Sequence, residues 1–457
     1  MRATPPATTS PRFPRPVVLV AAALLTVAAS YLAVALRSVP LATPPRVEPP
    51  VPGQTVTGGG DGTGVDLERI GNAIATWSAN LERDPADFIA AVNLSTLYLE
   101  RGHLTSNAGD LDAALAAIEH AIETDPSLPA PRLQRIQVLL ASHEFADAER
   151  AATAFLTDQP GELAALAALG DARLELGDLA GAEAAWAGVG QDGEAPMIAR
   201  RARLAMLSGS PAQAGRLAED ALALAMADPE TDDPAFYHLL AGTIAFQNGD
   251  LERSLQQSKA ALEAESGSPG ALAAIGRAQA ALGDLDAAIA AYELAVETRP
   301  DVQTLAALGD LLAIDGQADE AEARYAELRA IADDPRQRRL EGRVIALFFA
   351  DHRESPDRAV SLAEDDLAAR QDIHAWDAYA WALHAAGRHP EADEAIQNAR
   401  VEGTEESLLD YHAGMIAGAL GRTDEARELL RAALDRNPAF DPIGAMRARE
   451  TLVELGD

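Results

Sequence analysis

The sequence predicts an all-α fold, a solenoid of about ten helix-turn-helix units, because small residues recur along it in two linked series. In the first series most steps are 32 to 34 residues, and the second series lies twelve positions earlier in every unit but the first. Where small side chains occupy both places, as in most units, the two helices of a unit can pack closely. The first series is Ala114, Ala148, Ala182, Ala214, Ser254, Ala288, Ala321, Ala359, Ala392 and Ala426. The second series is Ser95, Ile136, Gly170, Ala202, Gly242, Gly276, Gly309, Leu347, Ala380 and Gly414.

Residues 269–302 show the pattern of one unit most clearly. Gly276 lies on the apolar face of a first helix, and Gly283 with Asp284 breaks that helix. The second helix has an apolar face of its own and ends before a proline. That face and the proline are Leu285, Ala288, Tyr292, Ala295 and Pro300. These residue types and spacings resemble the tetratricopeptide repeat, and the resemblance covers residues 84–440.

The resemblance implies a right-handed superhelical solenoid in which the first helix of each unit lines a concave groove. It also implies that a protein or peptide partner binds in that groove. The closing proline recurs in only four units, as Pro126, Pro160, Pro300 and Pro438, so single units are degenerate.

The N-terminal part differs in composition from the repeats. Val17–Leu36 is a stretch of twenty residues without a charge, long enough to span a bilayer core. Because Arg2, Arg12 and Arg15 precede it, we expect residues 1–16 to be a short cytoplasmic tail and residues 17–36 a transmembrane signal anchor. This predicts a single-pass protein of the cell membrane with its repeats outside the cytoplasm, in the periplasm or at the cell exterior. A signal peptide cleaved near Ala33–Ala35 is the alternative.

The flanks of the repeat array complete the predicted organisation. Residues 37–65 are rich in proline and then in glycine, a composition typical of a linker. Residues 66–83 are predicted to be a capping half-repeat, residues 84–440 the solenoid, and residues 441–457 a C-terminal capping helix. In that last helix we expect Met446 to face inward and Arg447 to face solvent.

Composition and motifs narrow the functional classes. The net charge is −34, and this acid excess argues against a nucleic-acid partner. The chain has no cysteine, and it contains no recognisable catalytic or phosphate-binding motif. We therefore predict that it is not an enzyme and requires no cofactor.

The candidate binding residues concentrate in the last three units, on the face that the resemblance assigns to the groove. Aromatic residues make up only 4% of the chain, so their clustering on one face favours a partner-binding groove. Asp377, Trp381 and His384 follow one another at spacings of four and three, and so form one stripe on a helix. The predicted groove residues are Phe348, Asp377, Trp381, His384, Tyr411, His412 and Met415.

Other interpretations of these residues stay open from the sequence. The large side chains could fill space between helices or pack against the final cap, and His384, His412 and Asp377 could hold a metal. The preferred function is a membrane-anchored extracytoplasmic scaffold for a protein or peptide, as in assembly factors of membrane or envelope complexes. The alternatives are an accessory protein of a transporter that binds a glycan or a metal, and a purely architectural spacer.

Overall fold

The computed structural model describes residues 62–189, 194–227, 229 and 232–456, and in these residues the chain forms 22 α-helices and no β-strand. In chain order the helices are α1 (Gly62–Arg83), α2 (Phe88–Thr105), α3 (Ala108–Thr124), α4 (Pro129–Ala141), α5 (Phe145–Asp158), α6 (Leu163–Glu175), α7 (Leu179–Ala187), α8 (Ala195–Leu207), α9 (Pro211–Ala227), α10 (Pro234–Gln247), α11 (Leu251–Ala264), α12 (Pro269–Ala281), α13 (Leu285–Thr298), α14 (Val302–Ile314), α15 (Ala318–Ala332), α16 (Pro335–Asp351), α17 (Pro356–Ala369), α18 (Ile373–Ala385), α19 (His389–Ala399), α20 (Ser407–Ala419), α21 (Thr423–Arg436) and α22 (Pro442–Glu454).

The helices α2 to α21 form ten consecutive antiparallel pairs, which we number units 1 to 10. Even-numbered helices are the first helices of the units and odd-numbered helices the second, while α1 and α22 flank the array. The prediction of an all-α solenoid is confirmed. The hand of the superhelix stays a prediction.

The small-residue series mark the places where the helices of a unit cross. All ten members of the first series, from Ala114 to Ala426, are at most 2% exposed. In unit 6 a methyl group on Gly276 would lie 2.6 Å from a ring carbon of Tyr292, so only glycine leaves room for that ring. The turn that follows uses Gly283 with φ +85° and then Asp284, whose carboxylate accepts from the backbone N–H of Ala287 and so caps α13.

The superhelix is wound so tightly that its early units contact its late ones. The side chain of Gln337, at the start of α16, donates to the carbonyl of Ser106 in the turn of unit 1 over 2.8 Å. Asn437, which follows α21, donates to the carbonyl of Phe246 at the end of α10 over 2.7 Å. Turns in the first half of the array therefore lie against segments in the second half.

In the C-terminal half the same winding closes the concave side. The first helices of units 7 to 10, which are α14, α16, α18 and α20, each contact the next, and α22 contacts both α20 and α14. These five helices form a closed ring, so the residues that point toward its axis are enclosed by neighbouring helices.

Ring closure also corrects the predicted orientation of the final helix. Met446, expected inward, is 47% exposed, whereas Arg447, expected outward, is half-buried and donates to the backbone carbonyl of Asp351 over 3.1 Å. The buried face of α22 consists of Gly444, Ala445, Ala448 and Leu452. The cause is that α22 packs against α14 and the end of α16 as well as against its sequence neighbours.

The predicted tail, the predicted anchor Val17–Leu36 and nearly all of the predicted linker lie outside the described residues. Among the helices that the structure does describe, none combines the length and the apolar character needed to cross a membrane.

Candidate functional site

The seven predicted groove residues come together in space, inside and beside the ring of first helices. Phe348 lies on α16, while Asp377, Trp381 and His384 lie on α18 and the remaining three on α20. Five of the seven are buried, whereas His384 and Met415 are only half-buried. The sequence thus identified a real cluster, but most of it lies within the protein.

Trp381 is the centre of this cluster and is 4% exposed. Its indole ring stacks against His412 with centroids 4.2 Å apart and against His384 with centroids 4.9 Å apart. Its Nε1–H donates to a carboxylate oxygen of Asp351 over 2.8 Å. Two histidine rings therefore stack on this indole, and a carboxylate binds its Nε1–H, as expected of a core tryptophan.

His412 is oriented by a carboxylate rather than by solvent. Its Nδ1 lies 2.9 Å from Oδ1 of Asp377 and 3.0 Å from Oδ2, and both side chains are buried. This pair links α18 to α20, and it occupies the ring nitrogen and the carboxylate that would otherwise bind a metal. Because His384 meets Trp381 instead, the trio His384, His412 and Asp377 does not share a coordination point, and no group of three or more His, Asp or Glu side chains in the described part of the chain is placed to hold a metal.

Phe348 belongs to a neighbouring aromatic group at the α14 side of the ring. Its ring lies 5.4 Å from that of Tyr325 and 4.5 Å from that of His352, measured between centroids. Asp310 accepts from Tyr325 OH over 2.7 Å and lies 2.9 Å from Nε2 of His352. Burial alone would lower the pKa of His352, but the hydrogen bond to Asp310 and its charge outweigh burial and raise that pKa.

The segment before α22 covers the cluster from the C-terminal side. The ring of Phe440 lies 5.4 Å from that of Tyr411, which is 1% exposed. Asp441 then caps α22 by accepting from the backbone N–H of Gly444. Burial, with the nearby charge of Asp351 adding to it, raises the pKa of Asp441 to about 6. The interpretation that these residues pack against the final cap agrees with their burial.

One part of the cluster remains open. A cleft with a volume of about 460 Å³ lies between the C-terminal ends of α18, α20 and α22, and His384 and Met415 form part of its wall. Thr451 Oγ1 of α22 donates to the sulfur of Met415 over 3.5 Å. The cleft residues are Arg353, His384, Ala385, Gly387, His389, Met415, Gly418, Ala419, Thr451, Glu454 and Leu455.

Within the cleft, His384 and His389 face each other across the turn that contains Gly387. Their ring centroids are 4.9 Å apart, and the Nδ1 atoms of both rings are buried without a hydrogen-bond partner. Burial lowers the pKa of His384 to about 4, and the charges of His389, His412 and Arg353 contribute to the shift. His384 is therefore neutral at pH 7.

The sequence missed most of the cleft. His389, Arg353 and the α22 residues Thr451 and Glu454 carry no local pattern that marks them. His389 could have been noticed because it follows the predicted turn at Gly387 and Arg388, which returns the chain toward His384. Nothing in the sequence indicates that α22 forms one side of a cleft.

Comparison with known families identifies the repeats. Two family models, both described as tetratricopeptide repeat, match the chain, one over residues 133–192 and 239–303 and the other over residues 95–128 and 411–440. The chain contains tetratricopeptide repeats. No curated protein matches it. Whether the seven predicted residues bind a partner stays a prediction.

Several solved structures are similar to this chain over much of its length. Yeast Tom70 is 14% identical, with coverage of 86% of this chain and 93% of that one and a TM-score of 0.33. A human IFIT1 dimer with PPP-AAAA is 15% identical, with coverage of 82% of this chain and 88% of that one and a TM-score of 0.45. A tetratricopeptide repeat protein from Parabacteroides merdae is 17% identical, with coverage of 57% of this chain and 99% of that one and a TM-score of 0.33.

Proposed function

We propose that this chain is a non-catalytic scaffold that binds a protein or peptide partner at the cleft between α18, α20 and α22. Proteins with tetratricopeptide repeats generally bind protein partners, and the family matches support that class of function here. The observation that carries the proposal is the cleft itself, where the predicted groove residues His384 and Met415 remain accessible.

The size and lining of the cleft fit part of a peptide. Ligand sites commonly occupy roughly 300–1,000 Å³, and the volume of about 460 Å³ lies within that range. Met415 and Leu455 supply apolar surface, while Arg353 and Glu454 supply charges of opposite sign at the same opening. The buried rings of Trp381 and Tyr411 lie 5.4 Å apart on the helices that carry His384 and Met415.

The proposed location of the scaffold rests on the sequence of its first forty residues. We propose that Val17–Leu36 anchors it in the cell membrane and that the repeats lie outside the cytoplasm, since the basic residues precede the apolar segment. Such a protein would serve as an assembly factor for a membrane or envelope complex. The second candidate is an accessory protein of a transporter that binds a small ligand, a glycan or a metal. The two cleft histidines favour it, because the Nδ1 atom of each lacks a hydrogen-bond partner.

The test fills the cleft without touching the core. Ala419 is exposed and lies on the cleft wall, so Ala419→Arg should place a long side chain in the opening. We expect partner capture by the full chain from solubilised membranes to fall at least about tenfold, as for loss of a binding hot spot. Ala184→Arg, at an exposed alanine of α7, is the matched control. Equal capture by both variants, with unchanged melting, would reject the cleft as the docking site, and an architectural spacer would give that result.

A further inference from the structure

We infer that the cleft between α18, α20 and α22 is a binding site for one Cu(I) ion, held by the imidazoles of His384 and His389 and the thioether of Met415. The three side chains line the same cleft, with His384 and His389 on either side of the turn at Gly387 and Met415 on α20. The inference goes beyond the proposed protein-binding function and does not depend on it.

Each of the two histidines has a buried ring nitrogen that no other group of the described chain bonds. Buried polar atoms are nearly always hydrogen-bonded, so an unpaired one calls for a ligand or another explanation. Here two such atoms, the Nδ1 atoms of His384 and His389, lie on rings whose centroids are 4.9 Å apart. Two imidazoles at this separation can turn a nitrogen each toward one ion between them, and imidazole is a good ligand for copper.

Met415 makes the site selective for a soft ion. Thioether sulfur is a soft ligand, which favours Cu(I) over the hard cations that carboxylates and water bind. The hydrogen bond from Thr451 Oγ1 uses one side of the sulfur and fixes the orientation of the side chain, and a second lone pair stays available. A site with two nitrogens and one sulfur suits an ion that is stable with few ligands.

The alternatives fit the same residues less well. A structural zinc site needs about four ligands, and no group of three or more His, Asp or Glu side chains in the described residues is placed to hold a metal. The charged side chains that line the cleft are Arg353 and Glu454, one of each sign.

The experiment is a competition for Cu(I) under anaerobic conditions between the full chain in detergent and a chromogenic Cu(I) chelator. We expect the wild-type chain to retain one equivalent. His389→Gln and Met415→Leu should each weaken retention at least about tenfold, the scale on which even residues behind metal ligands act. The matched controls are His120→Gln and Met226→Leu. His120 is a half-buried histidine of α3 that contacts the backbone carbonyl of Pro85, and Met226 is an exposed methionine of α9.

X-ray absorption provides the second readout. The Cu(I)-loaded wild type should show nitrogen and sulfur neighbours, and the sulfur should disappear in Met415→Leu, a substitution that preserves volume and so preserves folding. Failure to retain an equivalent would overturn the inference. Equal loss of copper in the controls would show adventitious binding only and would overturn it as well. Equal affinity for Zn(II) with no effect of Met415→Leu would overturn it as well. Because Ala419→Arg tests partner capture separately, failure of one proposal is distinguishable from failure of the other.

Discussion

Equivalent concave positions are filled by ion pairs in units 3 and 4 but by aromatic rings and histidines in units 8 to 10. In the N-terminal half, Arg200 of α8 forms two hydrogen bonds of 2.7 and 2.8 Å with Asp171 of α6, and Arg203 lies 2.5 Å from Glu175. All four side chains are buried. In the C-terminal half the corresponding volume holds Trp381 and its stacked neighbours.

The difference shows that tight winding, rather than side-chain chemistry, decides what the concave face does. Once successive turns of the superhelix touch, residues that point to the axis are enclosed whether they are charged or aromatic. The ion pairs must then be complete because a buried charge is costly without its partner, whereas the rings gain directly from burial. In both sets of units these concave positions have become core, and the C-terminal cleft is an opening that remains accessible.

The largest effect is expected at the aromatic centre. Trp381→Ala should destabilise folding by about 3–5 kcal/mol because it removes a buried indole and leaves a cavity, and it also deprives Asp351 of its donor. Chemical denaturation of the full chain measures this. Trp376→Ala, a half-buried tryptophan on the same helix, should cost clearly less. If instead Trp381→Ala melts as wild type but loses its partner, the indole is a binding residue and the ring is open in solution.

The ion pairs of the other half should respond differently to single and double substitution. Arg200→Met leaves the carboxylate of Asp171 buried without its cation and should cost about 3–5 kcal/mol of folding stability. The double variant Asp171→Leu with Arg200→Met removes both charges and should recover most of that loss. A double-mutant cycle by denaturation measures the coupling. No recovery in the double variant would mean that the loss in Arg200→Met does not come from the unpaired carboxylate of Asp171.

How far the sequence could predict this molecule depends on the range of the interactions involved. The small-residue series reports contacts within one unit, so the ten units, the helix pairing and the close approach at Gly276 and Tyr292 were all predictable. Exposure of the concave face depends instead on small rotations that add up over many units. It is fixed by contacts such as Thr404 with the Leu207 carbonyl, 197 residues apart, for which no local pattern exists.

The candidate site was likewise predictable only in part. Its membership was predictable because Trp381, Tyr411 and the others share one face of adjacent repeats. The burial of those rings was not, since it requires α22 to reach α14 and close the ring. His389 joined the site only because the turn at Gly387 folds it back on His384, and Thr451 because α22 closes the cleft.

The smallest effect is expected where two turns of the superhelix touch, a contact that joins the two halves of the array. Gly209 has φ +66°, and a methyl group there would lie 2.2 Å from the carbonyl oxygen of Gly403. Gly283 has φ +85° and nothing within 4 Å of such a methyl group. Gly209→Ala and Gly283→Ala therefore both carry left-handed strain of about 1–2 kcal/mol, but only Gly209→Ala also pushes two turns apart. The added overpacking should cost about 1–3 kcal/mol, measured as the difference between the two denaturation free energies. Equal losses would show that the turns separate freely in solution, and then the concave face of units 4 and 5 would be open to a partner.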